Sequence, residues 1–120
     1  MDIKRKSDVI HKVASDDSDY PYSKSAQVFH TNQLFLYSEK VEPSKKASAP
    51  HFHRSIDEIA YVAVGELYAI EGEEETLLKK GDSILFQANS QKKHYLENRS
   101  NRSAEFLLFR RSTKTNDVIY

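Results

Sequence analysis

His51 and His53 stand two residues apart, so on an extended strand both imidazoles project from one face. Imidazole is the commonest ligand for divalent transition metals, and two on one face make half of a metal site. Glu58 follows five residues after His53, a spacing that a straight strand would turn to the opposite face. A tight turn through Arg54-Ser55-Ile56-Asp57 removes that conflict, because Glu58 then opens a neighbouring strand and faces inward beside the histidines. Its mates at the same parity are Ala60, Val62 and Val64, apolar as a barrel interior requires. A further histidine, His94, opens a later run with Leu96 and Asn98 at its own parity.

The elements that must position these groups read as short strands. From Val28 onward, apolar or alternating runs recur at Leu34–Tyr37, Ile59–Val64, Leu67–Ile70, Thr76–Leu78, Ser83–Phe86, His94–Leu96 and Phe106–Phe109. Turn residues such as Gly65-Glu66, Glu71-Gly72 and Lys80-Gly81-Asp82 separate them. Runs this short, rich in β-branched and aromatic residues, predict an all-β sandwich or barrel. No sustained 3.6-residue apolar period interrupts residues 28–110. Residues 1–27 form a polar lead-in with room for one short strand, residues 28–110 the barrel, and residues 111–120 a tail or edge strand.

A chain of 120 residues is the size of one domain. Eighteen basic residues balance eighteen acidic ones, which leaves no electrostatic footprint for nucleic acid or an anionic membrane. No stretch approaches the roughly 18–20 apolar residues that cross a bilayer, and the basic N-terminus leads into no apolar segment of a signal peptide. Zero cysteines exclude disulfides, thiolate metal sites and thiol nucleophiles. The expected location is cytoplasmic.

His51-x-His53-x4-Glu58-x6-Gly65 resembles the first motif of the cupin superfamily with every position filled. Gly81-x12-His94-x3-Asn98 resembles the second, in a version two residues longer than the usual one. Gln87 stands where the motif has proline, and Asn89 and Gln91 stand for its glycines; asparagine tolerates the left-handed backbone better than most residues. The resemblance spans roughly residues 34–110. It implies a single-domain double-stranded β-helix, or jelly-roll barrel, with His51, His53, Glu58 and His94 as ligands to one divalent metal at its mouth. That nitrogen-rich set with one hard oxygen suits Fe, Mn, Ni, Cu or Zn and disfavours calcium. Four protein ligands leave one or two positions open for water, substrate or dioxygen.

The resemblance implies a small-molecule partner, with oxygenase- or isomerase-like chemistry as one class of function. A non-catalytic module that binds or senses a small ligand is the alternative, and a structural protein with a vestigial site a third class. An enzyme needs an acid, base or orienting group near the metal. The inward candidates are Gln33, Tyr37, Ser83 and Gln87, and spacing places no second Glu, Asp or His beside the site. Ala60 is small where cupins often carry a larger residue, so either a cavity opens beside the metal or Phe35 or Leu108 fills the gap. Leu34–Tyr37 and Phe106–Phe109 are apolar at both parities and need cover on the outer side; a homodimer is the expected cover, with the lead-in as the alternative. His11 and His30 lack partners at ligand spacing, Lys79-Lys80 and Lys92-Lys93 read as solvated turn charges, and Glu71 to Glu75 reads as a hairpin tip.

Overall fold

A computed structural model describes residues 1–120. Ten strands account for the regular structure, and the one helical element is a 3-10 turn at Lys6–Asp8. The strands are β1 (Lys24–His30), β2 (Leu34–Val41), β3 (Phe52–His53), β4 (Glu58–Val64), β5 (Glu66–Glu71), β6 (Glu74–Lys79), β7 (Ser83–Phe86), β8 (His94–Glu97), β9 (Ala104–Arg111) and β10 (Val118–Ile119). One sheet runs β1-β2-β9-β4-β7, and facing it are β6-β5-β8 and the pair β10-β3. A single antiparallel bridge between His51 and His94 joins β3 to β8. All the pairings are antiparallel, and the barrel is the expected double-stranded β-helix.

Alternation decides what each strand gives to the interior. On β4, Glu58, Ala60 and Val62 are buried while Ile59 and Tyr61 are exposed. On β9, Ala104 and Phe106 are buried and on β2 so is Val41, all packed with Leu67, Leu78 and Leu96 from the opposite sheet. The turns obey local backbone demands. Gly65 joins β4 to β5 at φ +73°, and a Cβ there would stand 3.0 Å from the Ser103 carbonyl oxygen, so any larger residue is both strained and crowded. Asn98 is fully buried and closes the β8–β9 turn. Its amide donates to the Val41 and Arg102 carbonyls at 2.8 and 2.7 Å, and its Oδ1 accepts from the Ser100 N–H and hydroxyl.

Three strand segments lie beyond the apolar runs. β1 opens at Lys24, inside the stretch read as lead-in, because Lys24-Ser25-Ala26-Gln27 carries the composition of an edge strand rather than of a core one. β3 and β10 are two residues each, too short for any periodic signal. The lead-in also covers part of the outer sheet. Lys12 pairs with Ser25, His11 Nε2 hydrogen-bonds the Ser38 hydroxyl at 2.8 Å, and Val9 and His11 flank Leu36 and Leu107. Ile59, Tyr61, Leu85 and Phe109 stay 39–50% exposed farther along the same face. His11 therefore ties the lead-in down, and Lys79, Lys80, Lys92 and Lys93 are exposed as turn charges are expected to be. Glu71 to Glu75 is the tip of the β5–β6 hairpin.

Candidate metal centre

The three histidines reach the barrel mouth from two strands and a bridge. His51 and His94 exchange backbone hydrogen bonds, 3.3 Å from the His51 N–H and 2.7 Å from the His94 N–H, so their side chains are locked side by side across the ladder. The loop that leads to His94 takes the backbone its stand-in residues were expected to supply. Asn89 and Gln91 both adopt left-handed φ, +56° and +64°, and the Asn89 N–H anchors the loop on the His53 carbonyl at 2.6 Å. Glutamine has no special tolerance of that region. Its amide donates to Asn89 Oδ1 at 2.7 Å, a local bond that holds the conformation.

Glu58 is the hub. Its Oε1 lies 3.0 Å from His53 Nε2, 3.2 Å from His94 Nε2 and 3.7 Å from His51 Nε2. His51, His53 and Glu58 offer donor atoms that all lie within 4.8 Å of one another and could hold a metal ion. His94 touches the carboxylate but stands farther from at least one of the other imidazoles, so it closes the group less tightly. Its ring stacks flat on Phe86, centroids 3.9 Å apart, and its buried Nδ1 has no partner.

The outer nitrogens of the other two rings are tied. His51 Nδ1 lies 2.8 Å from the Ala49 carbonyl oxygen, which fixes that nitrogen as a donor and turns Nε2 toward Glu58. His53 Nδ1 lies 2.7 Å from Asp117 Oδ1, and Asp117 Oδ2 accepts from the Ser55 N–H at 3.1 Å. A carboxylate behind a ligand imidazole fixes its tautomer and raises its basicity, as outer partners in metal sites do. Burial by itself pushes the Glu58 carboxyl up, but the three imidazoles outweigh it and hold Glu58 far below the usual carboxylate range. For His53 burial opposes charge, and Glu58 and Asp117 together outweigh it and push the imidazole up.

Behind the hub lies a cavity of about 210 Å³. Ala60, only 1% exposed, lines it beside His51, His53, Glu58 and His94, so the small residue does leave room. Leu108 narrows the cavity without filling it, and Phe35 lies outside it. The four polar residues expected to face inward do not line it. Ser83 pairs with Tyr61 and Gln87 continues the same parity, so both point outward while Ile84 and Phe86 point in. Gln33 is exposed in the β1–β2 turn, and the Tyr37 hydroxyl turns away to Gln27 Oε1 at 3.1 Å.

Three charged residues were missed instead, and two of them correct the expectation that no second carboxylate approaches the site. Asp117 lies 64 residues from the histidine it holds, in the polar tail, where no spacing connects the two. Glu39 is buried on β2 and lines the cavity; it shares the parity of Val41, a signal hidden by its place between Ser38 and Lys40. Burial pushes its carboxyl up against the opposing hydrogen bonds from Ser25 and Ser23. Arg110 also belongs to the cavity wall, at the inward parity of Phe106 and Leu108.

Solved structures of low sequence identity share the fold. A sugar phosphate isomerase of a cupin superfamily from Silicibacter pomeroyi is 23% identical, with a TM-score of 0.81 over 93% of this chain and 76% of its own. The polyketide cyclase RemF from Streptomyces resistomycificus is 15% identical, with a TM-score of 0.81 over 98% of this chain and 83% of its own. An uncharacterised conserved protein with a double-stranded β-helix domain from Klebsiella pneumoniae is 19% identical, with a TM-score of 0.72 over 88% and 87%. Comparison with curated proteins gave no match. The cupin domain family matches residues 37–110, more than half of the chain and the stretch from β2 to β9 that carries every histidine at the barrel mouth, so the chain belongs to the cupin domain family.

Proposed function

We propose that His51, His53, Glu58 and His94 hold one divalent transition-metal ion, and that a small molecule binds beside it in the cavity under Ala60. The observation that carries this reading is the convergence of three imidazole Nε2 atoms on a single carboxylate oxygen at 3.0–3.7 Å. The ties at His51 Nδ1 and His53 Nδ1 turn both Nε2 atoms toward the Glu58 carboxylate, as a donor set around a cation requires. The donor set fits Fe, Mn, Ni, Cu or Zn.

Bound there, a divalent ion supplies Lewis acidity and an open coordination position. The chain's own residues do the rest. Asp117 and the Ala49 carbonyl hold two rings in orientation, Phe86 braces the third, and Ala60, Leu108 and Phe106 give the space behind an apolar lining. The activity class we favour is oxygenase- or isomerase-like turnover of a small molecule; the sugar phosphate isomerase and the polyketide cyclase that share the fold support small-molecule chemistry in such a barrel. A second reading, capture of a ligand without turnover, is favoured by the largely apolar wall, where Glu39, Ser48 and Arg110 are the polar side chains outside the ligand set that are not aromatic. Oxygen uptake and product analysis on thiols, enediols and phenolics separate the two readings.

We also propose a cytoplasmic homodimer built on residues 28–110 as the one functional domain. The exposed row Ile59, Tyr61, Leu85 and Phe109 supports the dimer, and the absence of cysteine is compatible with a reducing compartment. No helix is long and apolar enough to cross a membrane. Cobalt(II) tests the metal reading. Titration should saturate at about one equivalent with visible d–d bands, and H94A should alter those bands; a spectrum that matches cobalt in buffer would rule the site out.

A further inference from the structure

Arg110 is a cation with no counter-ion inside a largely apolar wall. Ile59 lies opposite Phe109 in the β4–β9 ladder, so the next pair, Glu58 and Arg110, share one level of neighbouring strands and both face inward. Yet Arg110 takes part in none of the chain's ion pairs. Its guanidinium carbon lies 4.0 Å over the Phe35 ring centroid, and its buried Nε finds no acceptor. A buried donor without a partner is destabilising by itself, and stacking on an aromatic face fixes the plane of the fork without satisfying its N–H groups. The guanidinium plane is thus held on Phe35 at the cavity wall, with the buried Nε–H left without an acceptor.

We propose that Arg110 binds the carboxylate of a small monocarboxylate in this cavity. A planar guanidinium matches a carboxylate through two parallel N–H···O bonds. Arg110 is the one basic side chain on the cavity wall besides the three histidines, so a single anionic group matches it. No lysine lines the cavity to take up the second charge of a phosphate. Its volume, about 210 Å³, lies below the usual range of ligand pockets and restricts the molecule to a few carbon atoms or one ring. At the far end Glu39 accepts hydroxyl hydrogen bonds from Ser23 at 2.8 Å and from Ser25. Burial pushes its carboxyl up, against the opposing hydrogen bonds from Ser25 and Ser23.

Lactate, pyruvate and benzoate, each beside its neutral amide, are the probes. Binding is followed by calorimetry and by the Arg110 Nε–H signal in nitrogen-15 spectra, on metal-free and on metal-loaded protein. At least one acid should bind saturably below about 10 mM, and its amide at least about tenfold more weakly. R110Q should weaken the acid by about tenfold or more with metal content and melting temperature kept, and R110K should fall between, because it keeps charge without the fork. The acid–amide comparison on the native chain stands even where R110Q does not fold. Saturable binding by none of the acids, amides that bind as well as acids, or R110Q binding like the native chain would each overturn the proposal. Acid binding by a protein that takes up no metal would uphold Arg110 and sink the metal reading; metal uptake without acid binding would do the reverse.

Discussion

The two ends of the cavity wall are built on opposite principles. At the mouth, Glu58, His51 and His53 sit in a network in which polar atoms have partners, down to Asp117 and the Ala49 carbonyl. On the β2–β9 wall, Arg110 has the Phe35 ring but no hydrogen-bond acceptor for its Nε, and Glu39 relies on two serine hydroxyls amid Phe106 and Leu108. Partnered networks hold geometry, whereas the buried Arg110 Nε–H leaves a hydrogen bond to be made. On the proposed reading the mouth sets whether a metal binds, and the wall sets what binds beside it.

Substitutions at the two ends should separate cleanly. E58Q removes the hub charge and should lower affinity for a divalent metal by more than about a hundredfold, read by competition with a chelating dye. D117N keeps shape but weakens the outer bond to His53, and metal affinity should fall by about ten- to a hundredfold; an unchanged affinity would deny Asp117 its role. On the wall, A60F should fill the cavity and abolish ligand binding while metal content stays, with a stability loss of about 1–3 kcal/mol from overpacking. Loss of metal from A60F would erase the distinction between the two ends.

Proton dependence gives the smaller effects, with signs that differ between the ends. Metal binding needs neutral imidazoles, and in the metal-free protein Glu58 and Asp117 push His53 above its ordinary 6.5. Affinity should therefore still be rising with pH as it passes 6.5, and fall steeply below it. Glu39 titrates above its ordinary 4.5 in the folded chain. Its favourable contribution is fully present below pH 4.5 and is lost as pH rises through the folded value, because the unfolded carboxyl ionises first. E39Q should thus gain in melting temperature over the native chain as pH is raised from 4.5 to neutrality; a constant difference across that range would contradict it.

The mouth was legible in the sequence because its residues are close along the chain and obey parity: His51, His53 and Glu58 fall within one turn and two strands. The core strands were legible for the same reason, from β2 and β4 to β9, where apolar runs mark them. Asp117 was not, since only the β3–β10 pairing brings it to His53 and a two-residue strand carries no pattern. Glu39 and Arg110 broke the hydrophobic alternation at inward positions and so carried no inward signal. Ser83 and Gln87 failed by one residue of register, which turns a side chain to the other face.

Elemental analysis of tag-free protein, purified without chelator and again after reconstitution, decides whether His51, His53, Glu58 and His94 hold a metal. The proposed metal site should yield about one equivalent of a single transition metal per chain, lost in E58Q. Less than about a tenth of an equivalent after reconstitution with each of Fe, Mn, Ni, Cu and Zn would contradict it.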